Sequence, residues 1–221
     1  MLVEIRFFFW YTRRYMELLS RLLGGTERVK LMRFFLHHEE GIFSPSTLSE
    51  KTKIKEVVIK KELAFLASLG FIEKKKAKLF VTVGKGKKAV QKLKEVNGLM
   101  LNQDFPLNDA LKNLLFDFQA IDKKELASRF KATGRIKLFL TAGIFIGDEK
   151  SRLDVLIVGE SMKIPKAEKE FEILSAELGR EVVFAVMDVE EYMYRLKMYD
   201  KFVRDVLDMP NEKVIDKIIT L

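Results

Sequence analysis

The sequence of 221 residues contains no cysteine. Disulfides, thiolate metal sites and cysteine nucleophiles are excluded at once, and the composition fits a cytoplasmic protein. Histidine is almost as scarce: only His37 and His38 occur. Adjacent residues on a helix do not share a face, so the two make a poor metal pair, and two ligands are too few for zinc. Their expected role is at a helix C-terminus, where a partial positive charge is favourable. No metal and no cofactor are expected. Long apolar runs are missing too. Nothing approaches the ~20 residues of a membrane span, so no membrane partner is expected. The apolar start, Met1 to Trp10, is interrupted by Glu4 and Arg6 and lacks a small-residue cleavage site, which argues against a signal peptide.

What the chain has is core-forming residues and unevenly placed charge. Hydrophobic residues make up 48% of it, which is enough for packed domains. The net charge is +8. Lys51 to Lys94 alone carries fourteen lysines and three glutamates, a net of +11, which leaves the remainder near −3. A basic segment on a neutral-to-acidic body is the electrostatic footprint of a polyanion binder.

The pattern within that segment is specific. Ser44 is an N-cap candidate and Pro45 suits a first helical position, so a short helix is expected to about Ile54. Lys55 to Leu69 predicts a longer helix with Ile59, Leu63 and Leu66 on one apolar stripe, ended by Gly70. Phe71 to Lys76 starts an extended, lysine-rich arm. Lys78 to Val83 reads as strand, Gly84 to Lys88 as a basic tip, and Lys92 to Leu101 as the returning strand; Ala89 to Glu95 also suits a short helix. Short helix, turn, longer helix, glycine and basic strand are the order of a winged helix-turn-helix with a long β-hairpin wing. Residues expected to meet DNA are Lys55, Glu56, Val57, Lys60 and Lys61 on the second helix, and Lys74, Lys75, Lys76, Lys78, Lys85, Lys87 and Lys88 on the wing. Gly84-x-Gly86 is no phosphate loop, because the strand-to-helix frame is missing.

Around this segment, residues 3 to 23 predict a helix with Phe7, Phe8, Phe9, Trp10 and Tyr11 giving an unusually broad apolar face. Either the domain itself or a second copy covers such a face. Thr26 is an N-cap candidate for a helix to about His38 with Val29, Met32, Phe35 and Leu36 as its stripe. Asn102 to Pro106 is a turn and the expected domain boundary, giving domains 1–105 and 106–221. Beyond it, helices are expected over 107–119 (Leu107, Leu111, Leu114, Leu115, Phe118) and 123–133. Strands follow at 136–143, 153–159 and 181–187. Lys166 to Leu178 is a helix, and one long helix runs from Glu190 to about Leu207 behind Asp188. The fold class is therefore α+β with a mixed sheet in the C-terminal domain.

Residues 26 to 105 resemble the winged-helix domains of ArsR-type transcriptional regulators, through Ile54 to Leu63 and the closing Leu69-Gly70-Phe71-Ile72. Residues 107 to 221 resemble the minimal nucleotidyltransferase domain fused behind such winged helices. Active members of that family carry Gly-Ser after the first strand and an Asp-x-Asp pair opening the second, whose carboxylates hold Mg²⁺ on a nucleoside triphosphate. This chain departs from that pattern. Gly143 is followed by Ile144, Arg152 stands at the first carboxylate position, only Asp154 remains, and Val183 takes a place where a third carboxylate is common. Asp148 and Glu149 could substitute from the loop, and Arg152 with Asp154 would serve equally well as a structural pair on one strand face.

The resemblance implies a DNA-binding transcriptional regulator, not an enzyme, with a catalytically degenerate nucleotidyltransferase-like domain. The degenerate cleft would be Gly143, Ile144, Arg152 and Asp154, serving dimerisation or a nucleotide effector. The implied partners are double-stranded DNA and a second copy in a homodimer. Two alternatives stand beside this: an active nucleotidyltransferase that uses the winged helix for targeting, and a protein-interaction module whose lysines confer solubility.

Overall fold

The computed structural model describes residues 17–83, 90–118, 121–148 and 150–218, without the side chains of 79–96. The aromatic cluster Phe7 to Tyr11 and the tip lysines Lys85, Lys87 and Lys88 lie outside the described residues. The fold is α+β. The described residues group into two compact units: Leu18–Phe116 with Ala176–Arg180, and Glu17 with Asp117–Ser175 and the chain from Glu181 onward. No helix among the described residues is long and apolar enough to cross a membrane.

The first unit begins with helical residues 18–22 and then α1, Thr26–His37. The N-cap of α1 is Gly25, not Thr26, and no side chain caps it. Helices α2, Pro45–Thr52, and α3, Glu56–Ser68, follow. Strands β1, Ile72–Val83, and β2, Val90–Leu101, pair antiparallel in unbroken register from Ile72 opposite Leu101 to Val83 opposite Val90. The short helix considered at Ala89 to Glu95 is thus replaced by strand from Val90 onward, paired residue for residue with β1, alternate pairs exchanging backbone hydrogen bonds. Phe43 and Leu99 exchange backbone hydrogen bonds, which fastens the loop before α2 to β2. Leu31, Phe35, Leu48, Ile59, Leu66 and Phe71 are fully buried and form the core of this unit. Helix α4, Asn108–Leu115, closes it. It is shorter than the expected 107–119, and Leu107 and Leu114 stay exposed, so only part of the expected stripe faces inward. Arg33 is fully buried in α1, and its Nε donates to the Leu115 carbonyl at 2.8 Å, which joins α1 to α4.

The second unit is a mixed four-stranded sheet with helices packed on it. Helix α5, Lys123–Arg129, is capped by Asp122, whose carboxylate accepts from the amides of Lys124 and Glu125; the expected helix to residue 133 finishes instead as a 3₁₀ turn, Lys131–Thr133. Strand β3, Arg135–Thr141, pairs antiparallel with β4, Val155–Glu160. Helix α6 is Ile164–Leu178. Strand β5, Phe184–Asp188, lies parallel to β4. Leu138, Leu140, Leu156 and Val158 pack one sheet face against Tyr192, Val203 and Val206. Phe139 meets Phe130, which in turn meets Phe171 of α6.

Two expectations fail here. The single helix from Glu190 to Leu207 is two helices, α7, Val189–Lys197, and α8, Lys201–Asp208. Tyr199 has φ +52° between them, the Asp200 amide donates back to the Arg195 carbonyl at 2.9 Å, and the Asp200 carboxylate caps α8 through the Val203 amide. That is a Schellman-type stop with tyrosine where glycine is usual. Asp188 occupies the N-cap position of α7, but without a side-chain hydrogen bond. A further strand, β6, Glu212–Asp216, pairs antiparallel with β3, giving the order β5-β4-β3-β6.

Candidate nucleic-acid interface

The surface built by α2, α3 and β1 starts from local capping. The Ser44 hydroxyl accepts from the Thr47 amide at 3.1 Å, and Pro45 fills the first turn as its fixed φ allows. At the far end Thr52 Oγ1 donates to the Leu48 carbonyl and Ser49 Oγ to the Ile54 carbonyl, both at 2.6 Å. The chain reverses through Lys53 at φ +56°, and buried Ile54 anchors the turn. Lys55 is then the N-cap of α3.

The predicted stripe of α3 faces inward: Ile59, Leu63 and Leu66 are buried. Lys55, Glu56, Val57, Lys60 and Lys61 are exposed, with Val57 at 83%. Lys60 sits 3.4 Å from Glu56 in a solvated i,i+4 pair that contributes little. Glu62 points away from this group. Arg28 Nε donates to it at 2.8 Å while the guanidinium lies 3.8 Å from the centre of the Phe65 ring. Arg28 thereby clamps α3 to α1, and nothing in its sequence position signals that role. Gly70, at φ +75°, ends the helix where a side chain would be strained, and the Phe71 amide donates to the Leu66 carbonyl.

On β1 the side chains alternate, so Lys74, Lys76 and Lys78 share one face and Glu73 and Lys75 the other. All five are exposed. Lys74, Lys75 and Lys76 stand opposite Leu99, Gly98 and Asn97 on β2, and Lys78 opposite Glu95. The described lysines therefore occupy two adjacent elements of one unit.

The expected cleft residues have a different arrangement. Gly143 opens a 3₁₀ turn, Gly143–Phe145, at φ +52°, and a Cβ there would collide with the Asp154 carboxylate. Asp154 is 5% exposed. Its Oδ1 accepts from the Ile144 amide at 3.0 Å and its Oδ2 from the Val183 amide at 2.8 Å. Its own amide donates to the Val183 carbonyl at 2.7 Å, and its carbonyl accepts from the Ala142 amide at 2.8 Å. Asp154 is thus a tie between the Gly143 turn and the chain entering β5, with both carboxylate oxygens in use. Arg152 and Asp154 are not a pair on a strand face. Both precede β4, and Arg152 instead meets Asp205 of α8 at 3.2 Å. Asp148 accepts from the Lys150 amide in an exposed turn; Glu149 lies outside the described residues. Among the described residues no group of three histidine, cysteine, aspartate or glutamate side chains is placed to hold a metal ion.

The two histidines end α1 as expected. His38 Nδ1 is 2.8 Å from the Phe34 carbonyl, and its ring stacks on Phe34 with centroids 4.4 Å apart. Burial lowers the His37 pKa below its ordinary value, and the neighbouring His38 and Arg180 add to the effect.

Compared with known proteins, the chain matches no family model, no curated sequence and no solved structure.

Proposed function

We propose that the chain is a DNA-binding transcriptional regulator. Its N-terminal unit acts as a winged helix-turn-helix, with α3 in the major groove and the β1–β2 hairpin along the backbone as the wing. One observation carries the reading: Lys55, Lys60, Lys61, Lys74, Lys75, Lys76 and Lys78 are all exposed on adjacent elements, with only Glu56 and Glu73 as exposed acids among them. Such a surface neutralises phosphates and releases counterions on binding. Most of these lysines position the protein and do not read sequence. The test is fluorescence anisotropy of a labelled duplex against salt. Affinity should fall steeply between about 50 and 200 mM salt; an affinity that does not change would overturn the reading.

The C-terminal unit transfers no nucleotide in this proposal. Asp154 supports that view, because its two oxygens are engaged by backbone amides and are poorly placed to hold Mg²⁺. The roles left for the unit are dimerisation or effector binding. The protein is proposed to act as a homodimer, which would present two reading helices to half-sites about one helical turn apart. Light scattering at tens of micromolar should give twice the chain mass; a monomer there would count against it.

A further inference from the structure

Helix α3 presents two unlike faces. Ile59, Leu63 and Leu66 are buried, while Val57, Lys61 and Ala64 run along the opposite line at i, i+4 and i+7, all exposed. Val57 is 83% exposed in the first turn, and Val58 beside it is 37% exposed. A β-branched side chain in water at this position gains nothing for the fold and lowers helix propensity relative to alanine or lysine. The two acids nearest this line are already engaged, Glu62 by Arg28 at 2.8 Å and Glu56 by Lys60 at 3.4 Å. The helix Glu56–Ser68 contains no arginine, asparagine or glutamine, so Lys60 and Lys61 are its only side chains able to bond guanine O6 and N7 in bidentate fashion, and none is suited to adenine. What the exposed line offers a base edge is an apolar surface on either side of a single lysine.

We propose that Val57, seconded by Ala64, reads the 5-methyl group of pyrimidines in the major groove of duplex DNA, thymine above all; this rests on the DNA-binding reading. The thymine methyl is the apolar group that the major groove displays at its base edges, so it is the one feature a valine can discriminate. The position is right as well, since the N-terminal residues of a recognition helix meet the base edges. Lys55 and Lys60 flank Val57 and reach phosphate, while Lys61 lies on its own line. Sequence preference at Val57 therefore takes the form of methyl counting.

The experiment uses the full chain and four duplexes of about two helical turns. Two are alternating A·T, one with thymine and one with uracil. Two are alternating G·C, one with cytosine and one with 5-methylcytosine. Each pair has the same charge and the same hydrogen-bonding edges and differs only in the methyl group. The wild-type protein should bind the methylated member about fourfold more tightly for each methyl it covers, the scale of burying one such group. Val57→Ser, at an exposed position where the fold has little to lose, should bring each pair to near-equal affinity while leaving the salt dependence intact. Lys61→Ala, which removes the charge without adding a base-reading group, should weaken both members of each pair by the same factor and leave the methyl preference intact. Salt-dependent binding with equal affinity within each pair would overturn the methyl reading and leave DNA binding standing. No binding to any duplex would overturn both. A methyl preference that persists in Val57→Ser would assign it to DNA shape and overturn the role of Val57.

Discussion

Asp154 and Val183 bond each other twice: the Val183 amide donates to the Asp154 carboxylate at 2.8 Å, and the Asp154 amide donates to the Val183 carbonyl at 2.7 Å. With Ile144 held by the other carboxylate oxygen, removal of the side chain strands two amide donors. Asp154→Ala should cost about 2–4 kcal/mol, the scale of losing charged hydrogen bonds and leaving buried groups unsatisfied. Asp154→Asn should also destabilise, because its NH₂ would face an N–H. Thermal unfolding of both variants checks this. Incubation with labelled nucleoside triphosphates, Mg²⁺ or Mn²⁺ and protein or RNA acceptors should give no transfer. Transfer that disappears in Asp154→Ala while the variant remains folded at the assay temperature would overturn the inactive reading.

Neutralising a phosphate gives each lysine a countable signature. Lys74, Lys76 and Lys78 share a strand face, so glutamine at each should reduce the slope of log affinity against log salt by about one for every phosphate that the variant no longer neutralises. Lys75, on the other face, should change the slope less. Anisotropy titrations at several salt concentrations read this directly, and slopes unchanged from wild type in all four variants would remove the wing from the interface.

Ser44 is 3% exposed and caps α2 through the Thr47 amide. Ser44→Ala should cost about 1 kcal/mol, the usual loss for such a cap. Ser44→Asn should recover most of it, since the loss is of an acceptor and not of volume. Urea unfolding of the three proteins distinguishes these outcomes.

His37 titrates below its ordinary value of 6.5 in the folded chain, chiefly through burial. The unfolded state therefore binds the proton more readily, and stability rises with pH across the window between the two values. The contribution is complete above about 6.5 and is lost as pH falls through the lowered folded value. His37→Gln, which cannot take the charge, should flatten this dependence. Urea midpoints at about pH 7.5 and 5.5 compare the two proteins on either side of the ordinary value.

Where one local signal decided the conformation, the sequence was readable. Ser44-Pro45 announces α2, the Ile59, Leu63, Leu66 spacing sets the inward face of α3, and Gly70 ends it. The long hairpin follows from alternation and a glycine-lysine tip. Elements decided by competition between local signals were harder to read. The apolar pattern of α7 continues past Met198 into α8, so nothing in hydrophobic spacing marks the break; it comes from Asp200 capping the second helix and Tyr199 accepting a left-handed backbone. β6 is five residues with a weak pattern, Glu-Lys-Val-Ile-Asp, and becomes a strand because β3 offers it an edge. At the Gly143 turn the residue types suggested a worn metal site. Only the folded chain reveals that Asp154 is committed to backbone amides and Arg152 to Asp205, since these partners are remote in sequence.

The pairing of β3 with β6 also carries a kinetic consequence. Thr141 meets Glu212 across some seventy residues, whereas Val83 meets Val90 only seven residues along the chain. Loop closure of that length is entropically slow, so the hairpin should form early in refolding and the fourth strand of the sheet late. In the interval Leu138, Phe139 and Leu140 lie along an open strand edge, a template for the same strand of a neighbouring chain. Refolding yield should therefore fall with protein concentration, and dilution should restore it.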